Sequence, residues 1–497
     1  MDRNVERCKT GVAGLDEVLH GGLISERLYL IDGNPGSGKT TLALQFLLEG
    51  ARAGDKCLYV TLSETKEELE AGAVSHGWSL DGIDIVELIP DPQEALDGDG
   101  QLTMLQPSDV ELSRTMARIL QAIDQCQPAR AVFDSLSEMR LLAQSSLRYR
   151  RQILALKQCF IGRKCTVLML DDRTAEGPDL QLHSIANGVI ALYASAPPYG
   201  PARRQLQVLK LRGSDFSSGF HDVTIRRGGL KVFARLVAAD HGADFPRTLI
   251  ASGVTALDAL MGGGVERGTS TLLIGPPGCG KSTLALQYAV AATERGEHAA
   301  SFIFDETKTA LVSRMQGLGL QIREGDGPGM LSLRQIDPVE ISPGEFAAAV
   351  RRAVADENAQ VVIIDSLNGY LNAMGQNNDL TAQLHEVLSY LANKGVTTFM
   401  VVAQSGMLGA NMNSPVDASY LADSVVLLRY FEHAGSVRKA ISVMKKRTGA
   451  HEDSIRQLWF DRQGIHLSEP LLQLRGVLTG VPTELGGGTR VFGKSLE

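Results

Sequence analysis

Short apolar runs alternate with stretches of helical period along most of the chain. RLYLID (Arg27–Asp32), CLYVTL from Cys57, RAVFDS from Arg130 and TVLMLDD from Thr166 have counterparts in TLLIG (Thr271–Gly275), SFIFDET, QVVIIDS and TTFMVVAQ. Runs apolar at nearly every position suit strands covered on both faces. Between them, TTLALQFLLEG and STLALQYAVAA carry apolar residues at helical spacing and no proline. Strands separated by helices predict an α/β fold class, with mainly parallel sheets flanked by helices.

The pattern also repeats. The stretch beginning TGVAGLDEVL at Thr10 recurs without a gap as SGVTALDALM at Ser252. Gly11, Leu15, Asp16, Gly22, Gly33, Gly36, Gly38 and Lys39 reappear as Gly253, Leu257, Asp258, Gly264, Gly275, Gly278, Gly280 and Lys281, at a constant offset (281 − 39 = 242). Two copies of one unit are expected: a first domain over 1–240, a second over 245–470, and a C-terminal tail over 471–497. The polar segment AADHGADFPRT (Ala238–Thr248) reads as the linker between them. Three consecutive glycines, Gly486 to Gly488, argue for a flexible tail.

Each copy carries the pattern G-x-x-x-x-G-K-[ST] between a strand and a helix. The first is Gly33, Asn34, Pro35, Gly36, Ser37, Gly38, Lys39 and Thr40, followed by Thr41. The second is Gly275, Pro276, Pro277, Gly278, Cys279, Gly280, Lys281 and Ser282, followed by Thr283. Glycines let backbone N–H groups wrap a polyphosphate, the helix N-terminus adds a favourable field, and the lysine reaches the outer phosphates. The ligand expected is ATP, with Mg²⁺ on the hydroxyl of Thr40 or Ser282.

Asp134 and Asp365 each close an apolar strand with Asp-Ser, where a carboxylate holding Mg²⁺ belongs. A strand-capping aspartate is the alternative. Glu64 ends VTLSET, and Asp305 and Glu306 lie in FIFDET. A carboxylate there can orient a nucleophile; an exposed acidic turn is the alternative.

Composition bounds these readings. At 497 residues, 44% hydrophobic and 21% charged, the chain is too long for one core and ordinary for a globular protein. No run of eighteen apolar residues suggests a membrane span. Six scattered cysteines form no C-x-x-C pair, so reduced thiols in a cytoplasm are expected. A net charge of -8 disfavours bulk attraction to nucleic acid, which is not an expected partner.

With the doubled loop, the GLD-x-x-L-x-GG lead-in, the strand-end acids and a late K-x-R stretch in each half, the chain resembles the KaiC family over nearly its whole length. The resemblance implies two tandem RecA-like P-loop domains that bind and hydrolyse ATP. It implies that Lys210 and Arg212, and likewise Lys445 and Arg447, reach ATP held by the neighbouring subunit of a hexameric ring. A solvated basic face is the plainer reading of those residues. The family's second domain phosphorylates its own chain, and Ser419 falls on its acceptor serine. Tyr420 stands where the clock protein has a threonine, Asp305 replaces a glutamate, and Ser63 replaces an acid in the first half. A protein partner that regulates or listens to the ring is also implied. Two rival functions share the same loops: a RecA-class DNA-dependent ATPase, and a nucleotide-gated scaffold without kinase activity.

Overall fold

The computed structural model describes residues 6–88, 107–143, 145–173, 180–373, 380–404 and 420–484. The chain divides between Arg235 and Leu236 into two compact units.

In the first unit the strands are β1 (Leu28–Gly33), β2 (Cys57–Thr61), β3 (Ile83–Glu87), β4 (Arg130–Asp134), β5 (Thr166–Asp172), β6 (Gly188–Ser195), β7 (Arg203–Leu211), β8 (Phe220–Arg226) and β9 (Gly229–Phe233). They form one nine-stranded sheet in the order β3-β2-β4-β5-β1-β6-β7-β8-β9. From β3 to β6 the neighbours run parallel. From β6 to β9 they run antiparallel.

The second unit repeats this plan with β10 (Ser270–Gly275), β11 (His298–Ile303), β12 (Leu331–Gln335), β13 (Ala359–Asp365), β14 (Thr397–Ala403), β15 (Ser424–His433), β16 (Ser436–Lys446), β17 (Arg456–Asp461) and β18 (Gly464–Pro470). Its order, β12-β11-β13-β14-β10-β15-β16-β17-β18, is the first order shifted by nine. Both are RecA-like α/β domains with mixed, mostly parallel sheets. The apolar runs of the sequence are the four inner parallel strands of each sheet, β1, β2, β4 and β5 and then β10, β11, β13 and β14. In the antiparallel extensions, β7–β9 and β16–β18, strands β7 and β17 are half-exposed and lack the continuous apolar signal that marks the centre.

Each sheet is covered on both faces. In the first unit, helix α1 (Lys39–Ala53) packs with Tyr29, Ile31 and Tyr59 on one side. Leu30, Val60, Phe133 and Met169 pack on the other side against Met139, Tyr149 and Ile153. In the second unit, α2 (Lys281–Glu294) occupies the place of α1, and α3 (Leu380–Asn393) covers the opposite face.

Two segments expected to be loose are packed. Leu236 and Ala238 lie in the core of the second unit with Val387 and Tyr390. Ala238 donates its N–H to Glu386 at 2.9 Å and accepts from Asn393 Nδ2 at 2.9 Å. Further along, Phe245 lies over Gly268 and Gly395, where an added Cβ would come within 2.5 and 2.6 Å of its ring. The segment read as a linker is thus a strap fastened to the second unit. Likewise, Val477 from the tail is buried against Phe431 and Ala440, and Leu474–Arg475 pairs with Thr483–Glu484. Gly486 to Gly488 lie outside the described residues.

Candidate active site

Both phosphate loops leave a buried strand, β1 or β10, and feed directly into a helix. At the helix N-caps, Gly38 and Gly280 have φ of 104° and 107°. A side chain there would be strained and would also strike Ile225 at 2.6 Å or the Phe460 ring at 2.2 Å. The glycines are needed for backbone conformation and for the close approach of neighbouring strands.

In the first loop, Lys39 Nζ donates to Gly33 O at 2.9 Å and Asn34 O at 3.1 Å, and pairs with Asp172 Oδ1 at 2.7 Å. Thr40 Oγ1 donates to Asp134 Oδ2 at 3.1 Å, and Tyr59 OH donates to the same oxygen at 2.6 Å. Burial raises the Asp134 carboxyl above its ordinary value, against the lowering effect of those hydrogen bonds and Lys39. Glu64 is also raised, first by burial and then by Asp134, Glu68 and Asp172. Ser37 Oγ is buried without a hydrogen-bond partner among the described residues.

In the second loop, Lys281 Nζ donates to Pro276 O at 2.8 Å, with Cys279 Sγ at 3.9 Å. Burial lowers the Lys281 ammonium, while Cys279 and Asp365 push the other way. Asp365 is pushed up to about 6, first by burial; a hydrogen bond from Ser282 lowers it, and Glu306 and Asp305 repel the charge. Ser366 Oγ hydrogen-bonds Asp305 Oδ2. Arg314 pairs with Glu306 Oε1 at 2.6 Å and donates to Thr283 Oγ1 at 2.9 Å. Both Asp134–Ser135 and Asp365–Ser366 are cis.

These donor sets fit a nucleotide and Mg²⁺. A hydroxyl, Thr40 or Ser282, stands beside a buried carboxylate in each unit, a hard oxygen pair of the kind Mg²⁺ takes. The unsatisfied Ser37 Oγ and the buried Lys281, whose hydrogen-bond partners among the described residues are a carbonyl and a thiol, are polar groups whose enclosure is costly without further partners.

The basic pairs lie elsewhere. Lys210 pairs in register with Val189, at the edge where the parallel strands begin, whereas Gly33 lies level with Leu192, three residues further along β6. Lys210 Nζ donates to the carbonyls of His183 and Ala186, and Arg212 to that of Ser184. Lys445 Nζ donates to Ala422 O at 2.8 Å, and Arg447 to Tyr420 O at 3.0 Å with Asp423 beside it. Burial lowers the ammonium groups of Lys210 and Lys445, and each has a neighbouring arginine that adds to the shift. Neither pair serves the phosphate loop of its own unit. Ser419 lies outside the described residues.

Four residues that tune the sites were not singled out from the sequence: Asp172, Tyr59, Arg314 and Tyr430. The acidic doublet Asp171-Asp172 ending an apolar strand was the available signal for the first. Tyr430 donates to Pro277 O at 3.2 Å from the neighbouring strand, a contact that no local pattern encodes.

No helix among the described residues is long and apolar enough to cross a membrane. A family model for KaiC ATPases matches residues 8–237 and 250–471. The chain is 27% identical to the circadian clock oscillator protein KaiC of a Picosynechococcus species, covering 97% of this chain and 93% of that protein. It is 25% identical to the circadian clock protein KaiC3 of Synechocystis, covering 96% and 95%. To the oscillator protein KaiC of Synechococcus elongatus it is also 25% identical, covering 97% and 92%. The repeated fold, the paired phosphate loops and the double family match make the chain a member of the KaiC family, an ATPase with two tandem domains.

Proposed function

We propose that the protein is a ring-forming signalling ATPase that binds Mg·ATP in both units and phosphorylates its own Ser419 through the second. The observation that carries this reading is the clustering of Lys281, Ser282, Asp365, Asp305 and Glu306 around one phosphate loop. In the first unit Lys39, Thr40, Asp134 and Glu64 play the matching parts, with water as nucleophile.

Mg²⁺, held by Thr40 and Asp134 or by Ser282 and Asp365, would neutralise charge on the phosphates. Lys281 orients the outer phosphates. One carboxylate of the Asp305–Glu306 pair accepts the single proton of the Ser419 hydroxyl as its oxygen bonds to the γ-phosphorus; the bond to the β-phosphate oxygen breaks and ADP leaves. Arg314 fixes Glu306 in place, and Ser366 does the same for Asp305.

Lys210, Arg212, Lys445 and Arg447 complete a neighbour's site. Their position at the strand-start edge, away from their own loops, favours this reading over service in cis. A loop completed by a neighbour demands a head-to-tail interface, and six subunits close the ring in the family pattern. A serine phosphate would add nearly two negative charges, which a regulatory protein partner could read.

Intact-mass and peptide mass spectrometry after incubation with Mg·ATP tests the kinase. Phosphate on Ser419 in the wild type, and none in an Asp305→Ala/Glu306→Ala double variant, is expected. No phosphate in the wild type under any nucleotide or partner condition removes the kinase reading and leaves the ATPase intact.

A further inference from the structure

The edge of the second unit where the parallel strands begin holds a cluster that ATP chemistry does not use. His298 opens β11, Glu357 lies in the turn that leads into β13, and Asp326 lies in the loop before β12. One ligand atom from each lies within 4.8 Å of the others. The His298 side chain is 1% exposed, and its Nε2 has no hydrogen-bond partner among the described residues.

The other ring nitrogen, Nδ1, has two backbone neighbours. Nδ1 lies 3.0 Å from Met330 O and 3.3 Å from Gly327 N. Gly327 N–H is placed to donate to Nδ1 and Met330 O is placed to accept from it, so the two contacts belong to different protonation states of the ring. With the proton on Nδ1, donated to Met330 O, Nε2 presents a bare lone pair. An imidazole whose far nitrogen is anchored to a carbonyl is how proteins prepare a histidine for a metal.

Nε2 faces Glu357 Oε2 at 3.7 Å. That is too long for a hydrogen bond. It is close to the separation of about 3.4 Å that two ligands at about 2.0–2.1 Å from one ion adopt in a tetrahedral site. Arg334 pairs with the same Glu357 oxygen and donates to Ala349 O, which locks the carboxylate against the histidine. Its charge opposes a cation, so two carboxylates are needed to outweigh it. Asp326 supplies the second from an exposed loop between Gly325 and Gly327, where small rotations close the remaining distance.

We propose that His298, Asp326 and Glu357 bind a borderline divalent ion of the zinc class, with water completing the shell. A neutral imidazole nitrogen selects such an ion over Mg²⁺ or Ca²⁺, which prefer oxygen alone. The site is a property of the second unit only: at the offset of 242, His298 corresponds to Lys56. It ties together three segments at the end of the sheet remote from the phosphate loop.

The test uses the full chain, stripped with a chelator and kept reduced, and titrated with Zn²⁺ by calorimetry. Asp326→Asn is the principal variant, because Asp326 is exposed and its loss leaves the core intact. His298→Asn is the second. One ion per chain is expected, with at least tenfold weaker binding in each variant and a zinc absorption edge showing only nitrogen and oxygen neighbours. Absence of binding in the wild type, unchanged affinity in Asp326→Asn, or sulfur in the zinc shell overturns the proposal.

Discussion

The two phosphate loops share a pattern but not an electrostatic setting. In the first, Lys39 is already held by a carboxylate, Asp172 at 2.7 Å. In the second, the register position of Asp172 is taken by Ala403, and Lys281 relies on backbone and a thiol. Tyr59 donates to Asp134 in the first unit. Its counterpart by offset, Ser301, is too short to do so and its hydroxyl has no hydrogen-bond partner among the described residues. Glu306 is gripped by Arg314, whereas the position equivalent to Arg314 in the first unit is Gly72. Duplication preserved the backbone cradle; the neighbours that set its charge have diverged.

Removing the lysines should have the largest effect. Lys39→Ala and Lys281→Ala are each expected to silence one loop, with turnover of the double variant falling at least about 100-fold. Nucleotide titration of each single variant then reports on one loop at a time. Turnover that survives in the double variant would break the comparison outright.

Next comes the buried acid of the second unit. Asp365 is held near 6, well above the ordinary carboxylate value. Its raised value means that the favourable contribution is complete below the unfolded value and is lost as pH rises through about 6. In nucleotide-free protein, Asp365→Asn should therefore stabilise the second unit at pH 7.5, by roughly 3 kcal/mol, and have little effect at pH 4. Thermal melts at the two pH values check the sign. The same substitution should impair Mg·ATP turnover there, the usual trade of stability against function.

The smallest effect sharpens the contrast most. Asp172 competes with phosphate for Lys39, through a partly screened pair worth about 1 kcal/mol. In a Lys281→Ala background, Asp172→Asn should tighten ATP binding about fivefold. In a Lys39→Ala background, Ala403→Asp should weaken it by a similar factor. Opposite signs in equilibrium nucleotide binding are the expected result, and equal signs would show that Asp172 does not act by competition.

These contrasts also show what the sequence could reveal. The loops, the strand-end acids Asp134 and Asp365, and the four inner parallel strands of each sheet were legible because each follows from a local pattern: glycines at fixed spacing, or a run of apolar residues. Antiparallel strands such as β7 and β17 were not, because half-exposed strands lack such a pattern. Tyr59 and Arg314 were not legible either. A tyrosine within an apolar strand reads as core, and an arginine on a helix reads as surface until the fold brings it to Glu306. The segment Ala238–Thr248 looked like a linker because it is polar, yet Ala238 and Phe245 anchor it, His241 meets Tyr390 edge-on, and its backbone is met by Glu386 and Asn393.

That strap has a practical consequence for dissecting the molecule. A cut placed after residue 240 would leave Leu236 and Ala238 on the wrong fragment and uncover the apolar surface they fill beside Val387 and Tyr390. A separate second half should begin upstream of Leu236 to carry its own seal, while a first half ending at Arg235 sacrifices nothing from its own core.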